Sequence, residues 1–162
     1  MRIIHCFLLS IYIPVTCIFA NIFQLLNCRH GPFTLDPFAS NITKKVTKFY
    51  SRIWCQGSQG VDAFAYSWQN EVCWLVPPPK LIPRTIKHMR QCKARGILIV
   101  PKWQSAIFWP IIHDGSEWRN GISLLLEYVK PKNFFIKAAG GNNLFNENAF
   151  TSNVLVLNVN FE

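Results

Sequence analysis

Val72-Cys73-Trp74-Leu75-Val76-Pro77-Pro78-Pro79 is the stretch on which the fold turns. An unbroken apolar run with no polar alternation is what a strand buried on both faces requires. Proline has no N–H to give to a ladder, so the strand must end at Pro77. Just beyond it, Pro83 suits the first turn of a helix. Ile82, Ile86 and Met89 then recur at helical spacing as an apolar stripe. Lys80, Arg84, Lys87, His88 and Arg95 fall mainly on the other side. Gly96 reads as the stop of that helix. Ile97-Leu98-Ile99-Val100 reads as a second buried strand, closed by Pro101. Strand, helix, strand in this order predicts a parallel pair within an α/β sheet.

Upstream, Asn21 to Asn27 predicts one short helix with Ile22, Phe23, Leu25 and Leu26 inward, broken at Gly31-Pro32. Phe33-Thr34-Leu35-Asp36 reads as a short strand ending on an acid. Residues 41 to 50 are polar and basic, with Val46, Phe49 and Tyr50 at helical spacing, and Gly57 and Gly60 mark a loop. Downstream, Trp103, Phe108, Trp109 and Pro110 suggest an aromatic turn or short helix. Phe134 to Lys137 and Val154 to Phe161 read as two closing strands, an antiparallel edge, with Gly140-Gly141-Asn142-Asn143 as the loop between them.

Composition bounds the rest. The chain has 162 residues, enough for one domain. Only 15% of them are charged, against about 25% in a typical soluble domain. That shortage points to neighbouring domains that once covered part of the surface. The balance is basic, 17 Lys+Arg against 8 Asp+Glu, a formal +9. Such a charge attracts phosphate backbones or anionic membranes. Cys6, Cys17, Cys28, Cys55, Cys73 and Cys92 form no C-x-x-C pair, and no His lies at zinc-finger spacing. They read as reduced thiols of an intracellular, cytoplasmic or nuclear protein.

The start of the chain carries a second reading. Ile3 to Ala20 is almost wholly apolar and follows Arg2, as in a secretory signal. Asn41-Ile42-Thr43 is a glycosylation sequon, and loss of residues 1–20 would leave four cysteines for two disulfides. A translated intron or fused upstream exon produces the same kind of apolar start. Only a working signal or anchor there would bring the chain to a membrane. The organisation expected is an apolar segment over 1–20 and one domain over 21–162.

Three constellations bear on chemistry. Val76-Pro77-Pro78-Pro79 stands at a strand end, where ligands gather in open α/β sheets; by itself it is also a plain strand stop and helix start. Leu35-Asp36-Pro37-Phe38-Ala39-Ser40 places an acid at a second strand end, fit to accept hydrogen bonds from a cofactor or to cap a helix. Lys80, Arg84, Lys87, Arg90, Lys93, Arg95 and Lys102 are a basic run uninterrupted by Asp or Glu. They suit phosphate contacts, and equally an ordinary solvated helix face. Asp36, Asp62 and Asp114 are the carboxylates from which a metal-dependent nuclease would be built. No Ser-His-Asp or Cys-His motif is present.

Leu35 to Ser40 resembles the first motif of S-adenosylmethionine-dependent amino-methyltransferases, and Val76 to Pro79 their second. Asp62-Ala63-Phe64 and Trp68 between them resemble the compact phage-type adenine methyltransferases. More of the chain is similar to the methyltransferase-like region of DIRS-type retrotransposon polyproteins, the class that uses a tyrosine recombinase. The motifs that carry this likeness are Gly31 to Ser40, Phe49-Tyr50-Ser51-Arg52, Val61 to Phe64, Trp74 to Pro78, Val100 to Trp103, Phe108-Trp109-Pro110, Gly141-Asn142 with Phe145, and Val154 to Leu157. The resemblance implies a small Rossmann-like, mostly parallel α/β sheet with an antiparallel C-terminal edge. It also implies former partners in the other domains of a polyprotein. In the family, Asp36, Phe38 and Ala39 would stand in the cofactor site and Val76 to Pro79 in the catalytic motif.

This sequence departs from that pattern where the chemistry sits. Val76 replaces the Asp or Asn that holds the target amine. Pro79 replaces the ring that stacks a flipped base. Ser40-Asn41-Ile42 replaces a glycine-rich turn. The expectation is a non-catalytic module without a cofactor that binds nucleic acid weakly and non-specifically through Lys80, Arg84, Lys87 and Arg95. The alternatives are a residual S-adenosylmethionine-dependent DNA adenine methyltransferase and a secreted protein.

Overall fold

A computed structural model describes residues 15–129 and 152–162. Helix α1 runs from Val15 to His30, β1 from Val72 to Leu75, α2 from Ile82 to Cys92 and β2 from Arg95 to Pro101. A single turn, α3 (Trp109–Ile112), leads to β3 (Ile122–Tyr128) and β4 (Val154–Asn160). The expected strand at Phe134–Lys137, the Gly140–Asn143 loop and most of the 1–20 segment lie outside the described residues.

The four strands form one sheet in the order β1-β2-β4-β3. β1 and β2 are parallel, with Val72 beside Arg95 and Leu75 beside Leu98. The right-hand half is antiparallel: β4 pairs with β2 from Arg95/Asn160 to Pro101/Val154, and with β3 from Ile122/Val159 to Tyr128/Val154. The sheet is therefore mixed and mostly antiparallel, which overturns the expected Rossmann-like, mostly parallel sheet. Two causes are visible. The segment expected to supply a further strand, Phe33–Asp36, contributes only single bridges, Leu35 to Cys73 and Asp36 to Phe49. And β4 enters the middle of the sheet, not its edge. The edge is β3, whose Leu124-Leu125-Leu126 run is an apolar signal that the sequence reading passed over.

Side-chain alternation explains the continuous apolar strands. Cys73, Leu75, Leu98, Val100, Leu155, Leu157 and Val159 point to one face, where Ile82, Ile86 and Met89 of α2 cover them. Val72, Trp74, Ile97, Ile99, Val154 and Val156 point to the other, against Ile22 and Leu26 of α1 and Phe33. β1, β2 and β4, covered on both sides, have no need of a polar face, whereas the edge strand β3 is mostly exposed. Phe23, Phe33 and Trp74 lie with ring centroids 5.1–5.7 Å apart, which fixes α1 on that side. Helix α1 is longer than expected and crosses the boundary between residues 20 and 21. Among the described residues, no helix is long and apolar enough to cross a membrane.

The corner between α2 and β2 corrects a second expectation. The helix stops at Lys93, which takes the left-handed conformation (φ 50°), with its N–H on the carbonyls of Arg90 and Met89. Gly96 does not stop it. Gly96 stands inside β2, where a Cβ would come within 2.1 Å of the Cys73 carbonyl oxygen. A side chain there would push β1 and β2 apart.

Candidate nucleic-acid interface

α2 positions the basic residues by burying the opposite side. Ile82, Thr85, Ile86 and Met89 are fully buried, and Thr85 Oγ1 donates to the Leu81 carbonyl at 2.9 Å. At about 3.6 residues per turn, Arg84, Lys87 and Gln91 then share the outward stripe, and all three are exposed. Lys80 precedes the helix on a 3-10 turn, Pro79–Leu81, and is exposed as well. Lys93 and Arg95 stand exposed at the far end.

The run free of acids in sequence is not free of them in space. Arg84 lies 3.6 Å from Asp62, and Arg95 lies 3.3 Å from Glu162. Lys102 is held by Glu127 at 3.0 Å, which also accepts from Asn153. Among the described ion pairs, none takes Lys80, Lys87 or Lys93. The Asp62 and Glu162 pairs are half exposed, and such pairs are worth about 0–1 kcal/mol.

Arg84 has a second partner. Its guanidinium lies over the Phe64 ring, 4.1 Å from the centroid. Phe64 belongs to a 3-10 turn, Ala63–Ala65, capped by Asp62, whose carboxylate accepts the Phe64 N–H. The turn is fixed to α2 by His88, whose Nε2 is 2.9 Å from the Tyr66 carbonyl and whose ring is 4.5 Å from that of Trp68. Tyr66 stacks on Tyr50 with centroids 4.6 Å apart and planes 8° apart. An aromatic segment thus flanks the basic stripe. Sequence reading saw the cations but not these rings, because nothing in the spacing of residues 50, 64, 66 and 84 announces that they meet.

The residues matched to a methyltransferase site are occupied otherwise. Asp36 is buried, and its Oδ2 accepts the Lys45 N–H at 3.0 Å. Burial pushes its carboxyl up to about 6, against the opposing pull of the Lys45 and Phe38 N–H groups and the Lys45 charge. No helix begins after it; the acid ties down the 37–45 loop. Phe38 packs against Phe64 and Trp68, and Ala39 is buried with its N–H on the Tyr50 carbonyl. Val76 is half-buried and packs against the core cluster that holds Trp74 and Phe33. Pro77 is buried, Pro78 is exposed, and the Pro78 carbonyl accepts the Leu81 N–H at 2.8 Å in the turn that starts α2.

Asp36, Asp62 and Asp114 do not gather. Asp114 caps its own turn through the Ser116 and Glu117 N–H groups, which hold it down to about 2. Among the described residues, no group of three His, Cys, Asp or Glu is placed to hold a metal ion. Cys28, Cys55, Cys73 and Cys92 are free thiols. No family model matches the chain, and no curated protein matches it significantly.

Proposed function

We propose that this chain is a non-catalytic, retroelement-derived module that holds nucleic acid by its phosphates. The observation that carries it is the α2 face: Lys80, Arg84 and Lys87 outward, with Lys93 and Arg95 at its end, over a side that is fully buried. Contacts of this kind position a chain without reading bases. They give binding on the order of micromolar or weaker at physiological salt, falling steeply as salt rises. The non-catalytic part of the proposal rests on Val76, whose side chain offers no polar atom at the motif position. It rests too on Asp36, whose carboxylate is turned onto its own loop. A retroelement origin rests on the ordered motifs in the sequence; reverse transcriptase coding upstream and recombinase coding downstream would support it.

The test is a charge reversal. Arg84→Glu, Lys87→Glu and Arg95→Glu together are expected to abolish binding to a labelled duplex and to a labelled single strand. The fold should survive, because exposed charges usually cost about 0.5 kcal/mol or less each. Binding is measured across a salt series. A triple variant that binds like the parent, or binding indifferent to salt, would remove the support. Calorimetry with S-adenosylmethionine is expected to show no heat of binding; micromolar affinity together with methyl transfer to adenine would overturn the non-catalytic half.

A further inference from the structure

Beside the basic stripe, the chain presents rings that the core does not use up. Trp54 is 72% exposed, on a loop, two residues after the exposed Arg52. Tyr66 is 38% exposed although one ring face lies on Tyr50. The segments that carry them are neighbours. Ser51 bridges Val61, its N–H reaching the Gly60 carbonyl at 3.2 Å. Gly60 in turn lies against the Tyr66 hydroxyl, which a Cβ there would meet at 2.2 Å. The 51–61 loop is therefore seated beside the 62–66 segment, and that segment is tied to α2 through Phe64, Arg84 and His88. Cations and rings are thus carried on adjoining segments: Lys87 and Arg84 on α2, with Arg84 over Phe64, then Tyr66, and Arg52 and Trp54 on the neighbouring loop.

We propose that this surface binds single-stranded nucleic acid in preference to duplex, with phosphates on Lys87, Arg84 and Arg52 and unpaired bases stacked on Tyr66 and Trp54. The inference rests on the phosphate-binding reading above and adds its substrate class. A duplex keeps its base faces stacked inside and can use only the cations. A single strand offers base faces as well, and every base has one, so stacking adds affinity without sequence preference. The charge complementarity is one-sided: Asp62 is the acid paired within this surface, and its bond to Arg84 is an exposed one.

Three ligands separate the two ideas on the full chain: an oligothymidylate strand, an abasic strand with the same number of phosphates, and a duplex of equal length. The parent should bind oligothymidylate at least about thirtyfold more tightly than the abasic strand, the low end of the gain expected of two stacked bases. Trp54→Ala should remove one base's share of that gain, at least about fivefold, and leave the salt dependence unchanged, while Trp54→Phe should restore much of it. Trp54 is exposed, so its loss should not disturb the fold; an unaltered circular dichroism spectrum and melting curve verify this. Equal affinity for the strands with and without bases, or tighter binding of duplex, would overturn the single-strand proposal and leave phosphate binding standing. Failure to bind any of the three would take both down together.

Discussion

Replacing Asp36 by Asn should make the protein more stable at neutral pH and should change how its stability depends on acid. Asp36 is 4% exposed, and its carboxyl sits near 6 where 3.8 is ordinary. A carboxyl raised this far costs about 3 kcal/mol more to ionise in the folded state than in the unfolded chain. The sign follows from the direction. The folded form holds the proton more tightly, so Asp36 contributes its full stability below about pH 4 and loses it as pH rises through about 6. Asn is neutral throughout and escapes that loss. It gives up one acceptor for the Lys45 or Phe38 N–H, a pH-independent cost of about 1 kcal/mol. The net expectation is a slight loss of stability near pH 4 and a gain of about 2 kcal/mol near pH 8. Urea unfolding followed by tryptophan fluorescence at several pH values supplies the two curves. Glu71, Glu127 and Asp114 are held below their ordinary values and act in the opposite direction. They are common to both proteins and cancel in the difference. A difference that stays flat with pH, or that turns against Asn as pH rises, would refute the account of Asp36 as a buried acid whose partners offset its burial only in part.

Other outcomes follow from the geometry. Gly96→Ala should cost several kcal/mol, on the order of an overpacked core substitution or more, because its Cβ meets the backbone of β1; denaturant midpoints measure it. Lys93→Gly should stabilise by about 1 kcal/mol, since a left-handed residue without a Cβ carries no steric penalty; thermal melting reads the gain. Ile86→Ala should lose about 2–5 kcal/mol by opening a cavity under α2, and the same urea titration measures it. With a thiol reagent in native buffer, Cys28 should react readily, whereas Cys73, buried and with its thiol pushed up by that burial, should react only after unfolding. Peptide mapping distinguishes the sites.

The central unit was legible because its signals are local and do not conflict. The apolar run at Val72–Val76, the proline stop, the 82–86–89 stripe and the second run at Ile97–Val100 each specify one element, and β1, α2 and β2 are found there. What failed was non-local. No periodicity tells that β4 inserts beside β2, and reading the last two runs as an antiparallel edge put it on the outside. Phe33–Asp36 reads as a strand by composition yet forms single bridges, because Pro37 follows at once. Residues 41–50 have helical spacing but make turns, with Lys44 N–H on the Ser40 carbonyl and Lys45 N–H on Asp36. At the candidate interface the cations were evident from charge alone. Their acidic partners, Asp62 and Glu162, lie 22 and 67 residues away in sequence from Arg84 and Arg95, and only the fold brings them together.

The place of β4 also sets the order in which the molecule can be made. It is the last of the four strands to leave the ribosome, yet it sits between two that are already complete. Until it arrives, β2 shows a bare row of N–H and C=O groups from Arg95 to Pro101, and β3 has no described partner. A β1-α2-β2 fragment formed before then would be exposed along β2 to any other chain in the same condition. Unpaired edges of that kind invite association between nascent chains. Shortening the chain before Val154 would make that exposure permanent and turn a passing hazard of synthesis into the normal state of the product.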